Sequence, residues 1–431
     1  MTTLLRARHA LLLGALCVGV TACDLDLENP NAPSSEQVVT SADGVLAVTV
    51  GMQAQFAQSI EDYVVPSSLG TDEWGTLTRA LISWIMLFTG DNFDQSFGTV
   101  LSPYANSFQV IRSANTALRG TEAVELGTAT EAGVRATAKL FKAMALGWLI
   151  QIYERVPVDI DAAGGAQPKE RAEVLDTVLT LLESARTDLE GISNADLAAF
   201  RSRALGAGFD LRNTIDAMLA RYYLIDGQYE NAIAAADRVN LAILSVLEYP
   251  APTRNPIENL AFQLQYVGGL QSFASGAEPG DRRPAYWVNV AAASLPANPS
   301  DSAVKPLRKY STPNEPFPVY LPDEMRLIKA EALTRTGNFA AAAELVNAVR
   351  TQTAAPVDEP LAGLPALPAS ALDTESELLA QIAYERRYEL FMQGLRWEDT
   401  RRLGTAITTT PTFDFLPLPL TECQVNPNSG C

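Results

Sequence analysis

One pattern occurs twice in this chain and commits much of it to paired helices. Ala220, Gly227, Tyr229, Ala232 and Val239 recur 110 residues later as Ala330, Gly337, Phe339, Ala342 and Val349. In each copy a small residue sits on a first helix, a glycine follows at a turn, and a second helix presents an aromatic and another small residue. Small side chains let two helix axes cross closely, and glycine takes the backbone conformation that a tight turn asks for. Two unrelated hairpins sharing alanine by composition would be the alternative. The separation of the copies excludes a tandem array, so something else lies between them.

The remainder of the chain divides by periodicity. Residues 34–60 turn amphipathic, with Val45, Leu46, Val48, Met52 and Phe56 close to helical spacing. Helical pattern also covers Tyr104–Leu118, Ala129–Tyr153, Ala172–Leu189 and a last long helix over Glu375–Leu403. Two stretches break it: residues 62–103, read as part helix and part long loops, and residues 248–322, rich in proline, glycine and aromatics. Pro356–Ser370 adds four prolines before the last helix. The expected fold class is mostly all-α, helical hairpins forming a scaffold with long irregular, loop-rich inserts. The hairpins resemble the tetratricopeptide helix-turn-helix, in which an aromatic fills the space beside the turn.

The amino end is an address. Arg6 and Arg8 precede an apolar run from Ala10 to Val20 that is too short to span a bilayer, so residues 1–22 read as a signal peptide. Val20-Thr21-Ala22-Cys23 resembles a bacterial lipobox, which implies lipid attachment at Cys23; an ordinary signal peptide with a chance cysteine is the other reading. Residues 23–33 are acidic and extended by composition, a tether, and residues 34–431 are expected to form one helical domain, although length alone would suggest two or three. Acidic residues behind the cysteine resemble a surface-export signal of some bacterial lipoproteins. In enteric bacteria, though, Asp24 directly after it favours inner-membrane retention, so the leaflet stays open.

Two counts exclude function classes. The only histidine, His9, leaves with the signal peptide, which removes Ser-His-Asp and Cys-His catalysis and His-ligated zinc. The formal charge is −18, and −20 once Arg6 and Arg8 are gone, so nucleic acid and anionic headgroups are repelled. With Cys17 removed and Cys23 lipidated, Cys423 and Cys431 are the remaining thiols. They read as a disulfide in an exported protein, or as two free thiols on a frayed end. No catalytic residue, metal ligand set or cofactor is expected.

From Ala383 the chain runs Ala-Tyr-Glu-Arg-Arg-Tyr-Glu-Leu-Phe-Met-Gln-Gly-Leu-Arg-Trp-Glu-Asp-Thr-Arg-Arg-Leu, followed by Leu416-Pro417-Leu418-Pro419, Glu422 and Asn426-Pro427-Asn428. This resembles the C-terminal signature of the SusD/RagB family. Tyr153-Glu154-Arg155-Val156-Pro157, Asp281-Arg282, Met325–Ala332 and Asn347–Arg350 resemble further family elements in the right order, with Glu154 where the family usually has glycine. The resemblance implies a surface lipoprotein of the outer membrane, lipid-anchored and facing outward. It would bind oligosaccharide, or in some members peptide, and deliver it to a TonB-dependent (SusC-like) transporter. A periplasmic tetratricopeptide-like assembly scaffold is the competing reading.

Sugar sites pair a flat ring with amides and acids. Trp74 beside Asp72 and Glu73, Asn92 and Phe93 within Asp91–Gln95, and Tyr266 with Gln263 and Gln265 offer that combination, as does Tyr286 with Asn289. Trp74, Asn92, Phe93 and Tyr266 are the candidate ligand residues. Trp84, Phe88 and Trp397 read as core. Glu385, Glu389, Glu398 and Asp399 lie among Arg386, Arg387, Arg396, Arg401 and Arg402, an arrangement that lowers acid pKa values, whereas a general acid needs a raised one. They are expected to form an ion-pair lattice, not a glycosidase pair.

Overall fold

The computed structural model describes residues 38–71, 73–90, 94–160, 166–404 and 414–431. Twelve helices carry the scaffold: α1 (Ala42–Gln58), α2 (Ile60–Leu69), α3 (Ile82–Thr89), α4 (Gly98–Ala123), α5 (Thr128–Ile152), α6 (Arg171–Asp188), α7 (Leu211–Ile225), α8 (Tyr229–Arg238), α9 (Pro322–Arg335), α10 (Phe339–Arg350), α11 (Glu375–Glu389) and α12 (Arg396–Leu403). The mostly helical class expected from the sequence is the one observed.

Helix α5 is the centre of the core. Its Ala, Gly, Leu and aromatic residues leave no polar face, so from Ala132 to Ile152 nearly every side chain is buried. Gly147 is required there, since a Cβ would lie 2.2 Å from the Tyr222 ring of α7. Helices α4 and α6 flank α5, and α1 closes over α4.

The repeated pattern folds as two hairpins, α7–α8 and α9–α10. Gly227 and Gly337 take φ of 77° and 83° at the turns. Ala220, Ala232, Ala330 and Ala342 are fully buried at the crossings. Although the copies are 110 residues apart in sequence, α8 packs directly on α9. The chain between them loops out and returns to its starting point, where strands β4 (Val246–Leu247) and β7 (Phe317–Pro318) pair antiparallel.

The inserts are less irregular than their composition suggested. Strand β1 (Trp74–Thr76) from the first insert pairs with β5 (Val267–Leu270) from the second, and β5 pairs with β6 (Val304–Lys305). The order β1-β5-β6 stitches the two inserts together. Gly268 and Gly269 make this possible: a Cβ on Gly268 would sit 2.5 Å from the Lys305 carbonyl oxygen, and one on Gly269 would sit 2.7 Å from Val288. A second small pair, β2 (Arg155–Pro157) with β3 (Pro168–Glu170), closes the loop after α5.

Two helix boundaries differ from the periodicity. Helix α4 begins at Gly98, not Tyr104, and carries Pro103 inside its second turn. The expected single helix over 375–403 is two helices. Met392 and Gly394 take φ of 62° and 71° between them, with Gly394 pressed against Trp148. That turn delivers Trp397 into the core beside Gly70.

At the carboxyl end Cys423 and Cys431 are joined in a disulfide, Cα atoms 5.6 Å apart. Arg155 donates to the Gly430 carbonyl (2.8 Å) and Asn426 to the Ala166 carbonyl (2.7 Å), docking this loop beside β2. Among the described residues no helix is long and apolar enough to cross a membrane. Cys23 and the tether lie outside the described residues.

Candidate functional site

Helices α2, α3 and α4 converge on a cleft of about 260 Å³ lined by Glu61, Asp62, Ser83, Trp84, Thr99 and Ser102, with Pro66 and Pro103 behind them. Each element places its residue for a local reason. Glu61 and Asp62 occupy the first turn of α2, where carboxylates favour the positive end of the helix dipole. Trp84 sits in the first turn of α3, which starts directly after the turn that follows β1. Thr99 opens α4 and donates to the Ser83 hydroxyl (3.0 Å), tying the two walls. Leu81 and Ile82 stand exposed where α3 begins, at 47% and 62%.

Burial raises both acids. Glu61 is pushed to about 7, mainly by loss of hydration and then by the neighbouring Asp62 charge. Asp62 is pushed to about 6 by burial, held back by the 2.7 Å hydrogen bond from the Asn106 amide. Near neutral pH the pair therefore both donates and accepts hydrogen bonds, which suits hydroxyl-rich ligands. Adjacent residues on one helical turn do not flank a bond from two sides, so they do not have the arrangement of a glycosidase pair.

The expected ligand residues divide. Trp74 is a correction: it is 0% exposed, opposite Gly269 at the start of the β1-β5 pairing, and has no free face for stacking. All three residues of the strand are buried, so neither face of β1 is open to a ligand. Its neighbour Glu73 is buried as well and accepts from Ser68 at 2.7 Å. Asn92 and Phe93 lie outside the described residues. Tyr266 is half-buried and meets Trp84 edge to face at 5.5 Å, so it buttresses the cleft from the second insert. Trp84, read as core, is indeed largely buried, yet one side of it lines the cleft. Glu61 went unnoticed because acids in a helix's first turn have an ordinary capping role.

The charged C-terminal cluster forms an ion-pair lattice, but the expected lowering of its acids fails at two of them: burial raises Asp399 and, more strongly, Glu389 despite the arginines nearby. Arg386 pairs with Asp399 (2.8 Å), Arg401 with Glu398 (2.8 Å), and Arg402 with Asp399 (2.7 Å) and Glu331. Arg283 of the insert reaches Asp281 (2.8 Å) and Glu385 (2.7 Å), and Arg350 joins Glu385 (3.0 Å) to Glu278 (2.5 Å). Every one of these groups except Glu278 is largely withdrawn from solvent.

Residues 303–428 match the sequence model of the SusD family. Comparison with curated protein sequences gives no match. Among solved structures, a SusD-like protein from Bacteroides fragilis superposes with a TM-score of 0.70 at 15% identity, covering 93% of this chain and 98% of that one. NanU of B. fragilis gives 0.70 at 14%, with the same coverage. A laminarin-binding SusD-like protein gives 0.64 at 16%, covering 88% and 96%. At such identities the likeness shows a common fold. The chain thus has the fold of the SusD-like proteins and carries the SusD family's sequence signature over residues 303–428.

Proposed function

We propose that this protein is a glycan-binding lipoprotein, anchored through Cys23 in the outer membrane, that hands its ligand to a TonB-dependent (SusC-like) transporter and catalyses nothing. The observation that carries the binding reading is the cleft at Trp84: an indole wall, two acids able to donate and accept near neutral pH, and three hydroxyls. Pyranose faces stack on flat rings while their hydroxyls are taken by such groups. That a relative of the same fold is laminarin-binding supports sugar over peptide. Tyr266 remains a proposed contributor beside the cleft, and Asn92 and Phe93, outside the described residues, remain proposed ligand residues. A glycan array followed by calorimetric titration tests the reading. Trp84→Ala and Ser102→Trp, which fills the cleft from α4, should each weaken binding at least several-fold, on the order of 1 kcal/mol. Unchanged affinity in both variants places the ligand elsewhere. Peptides binding where no glycan does would favour the family's peptide-binding alternative.

A further inference from the structure

Three acids far apart in sequence meet beneath the charged lattice. Asp323 lies in the first turn of α9, Glu359 in the proline-rich segment after α10, and Glu389 at the end of α11. One oxygen from each lies within 4.8 Å of the others. All three are buried, at 1%, 4% and 0% exposure.

Their side-chain contacts leave at least one oxygen of each acid unpaired. Arg326 takes Asp323 Oδ1, the Gln352 amide takes Glu359 Oε1 at 2.8 Å, and Arg283 stands 3.5 Å from Glu389 Oε2. Asp323 Oδ2, Glu359 Oε2 and Glu389 Oε1 have no hydrogen-bond partner among the described residues. The Asp323 backbone N–H also faces Glu359 and adds a partial positive charge. Glu389 is the decisive group: a fully buried carboxylate whose ion-pair partner among the described residues, Arg283, is already shared with Asp281 and Glu385.

The local charge does not balance. Asp281, Asp323, Glu359, Glu385, Glu389 and Glu278 draw, among the described residues, on three guanidiniums, those of Arg283, Arg326 and Arg350. Buried carboxylates left without counter-charge are strongly unfavourable, and two ways of relieving them are a shared proton or a cation.

We propose that Asp323, Glu359 and Glu389 hold a hard divalent cation of the calcium type, which ties α9, α11 and the proline-rich segment together. The donor set is all oxygen, with no nitrogen or sulfur to select zinc. Glu389 offers both oxygens and Asp323 and Glu359 one each, an irregular set that calcium's flexible coordination accepts. Magnesium, which keeps several waters, suits so enclosed a place less well. Glu359 also lines a cleft of about 420 Å³ with Arg282, Tyr286, Arg308 and Lys309, which gives the ion a path inward. The cations at that mouth slow both entry and escape.

The test uses the mature protein purified without chelator. Elemental analysis should find about one calcium per chain. After chelation, adding calcium at a hundredfold excess over its Kd should raise the melting temperature by about 3 °C or more, with magnesium doing less. Tb3+ luminescence competed by calcium gives a second readout that needs no variant. Glu389→Gln and Glu359→Gln should each abolish the calcium response, and the former should melt above chelated wild type because a repelling charge is gone. Absence of both bound calcium and a calcium-dependent shift in the wild type overturns the proposal and leaves a proton-sharing cluster. So does a Glu389→Gln variant that responds to calcium as the wild type does.

Discussion

At the scale of single residues, the same aromatic chemistry leads to opposite outcomes at Trp74 and Trp84. Trp74 is enclosed between β1 and the helices, so Trp74→Ala should remove a large part of the core and destabilise the fold by roughly 3–5 kcal/mol in urea unfolding. Trp84→Ala also loses packing, and its diagnostic effect is on ligand affinity. The acids beside Trp84 give a pH signature. Glu61 and Asp62 keep their protons to about 7 and 6 in the folded chain, whereas unfolded carboxyls release them near 4. Stability that the protonated pair contributes is thus complete below about pH 4 and is lost as pH rises through 6 to 7. Replacing them together by Glu61→Gln and Asp62→Asn should flatten the fall in stability between pH 5 and 8. The expected gain is about 2 kcal/mol at pH 8 after allowing for solvent screening. Equal pH profiles for variant and wild type would show the acids to be well hydrated.

Among elements, the arginines do more than decorate helices. Arg283 comes from the second insert and ends between Asp281, Glu385 and Glu389, fixing the insert to α11. Arg283→Ala leaves these acids buried without it, and a loss of roughly 3–5 kcal/mol in denaturant unfolding is expected. A loss under 1 kcal/mol would mean that the lattice is wet. The C-terminal loop is held differently. Reducing the Cys423–Cys431 bridge, or Cys423→Ser, should loosen that segment by roughly 2–3 kcal/mol on a loop-entropy estimate. Amide exchange at Thr421–Asn426 reads this locally. The hairpins α7–α8 and α9–α10 were legible because their Ala and Gly positions report contacts within one element pair. The pairing of β1 with β5 was not, because strands of two to four residues are too short to show alternation, and Gly268 and Gly269 carry no hydropathy. The cleft was half legible: the aromatics announced themselves, while Glu61 was masked by the ordinary role of an acid at a helix start. The Asp323–Glu359–Glu389 cluster has no local spacing at all.

For the whole molecule, one main core runs from Val45 of α1 through Trp287 of the second insert to Trp397 of α12, so the inserts belong to the body they interrupt. The cleft proposed to take the ligand, built by α2, α3 and α4, thus rests on the entire fold. What remains is how this body is kept at a membrane. Among the described residues no helix could span one, and a formal charge of −18, or −20 for the mature chain, repels anionic headgroups. Peripheral adhesion by charge is accordingly weak, and a thioether-linked lipid at Cys23 is the proposed anchor. One acyl chain binds marginally, whereas the several chains of a mature bacterial lipoprotein hold firmly. In a host that processes lipoproteins, the wild type should stay with membranes through a high-salt wash and be released by detergent. Cys23→Ala should appear in the soluble fraction with the same melting temperature, since the substitution lies before the folded body. Should Cys23→Ala remain membrane-bound after that wash, the anchor is not at Cys23, and the handover of ligand to a neighbouring transporter would need another means of holding the two together.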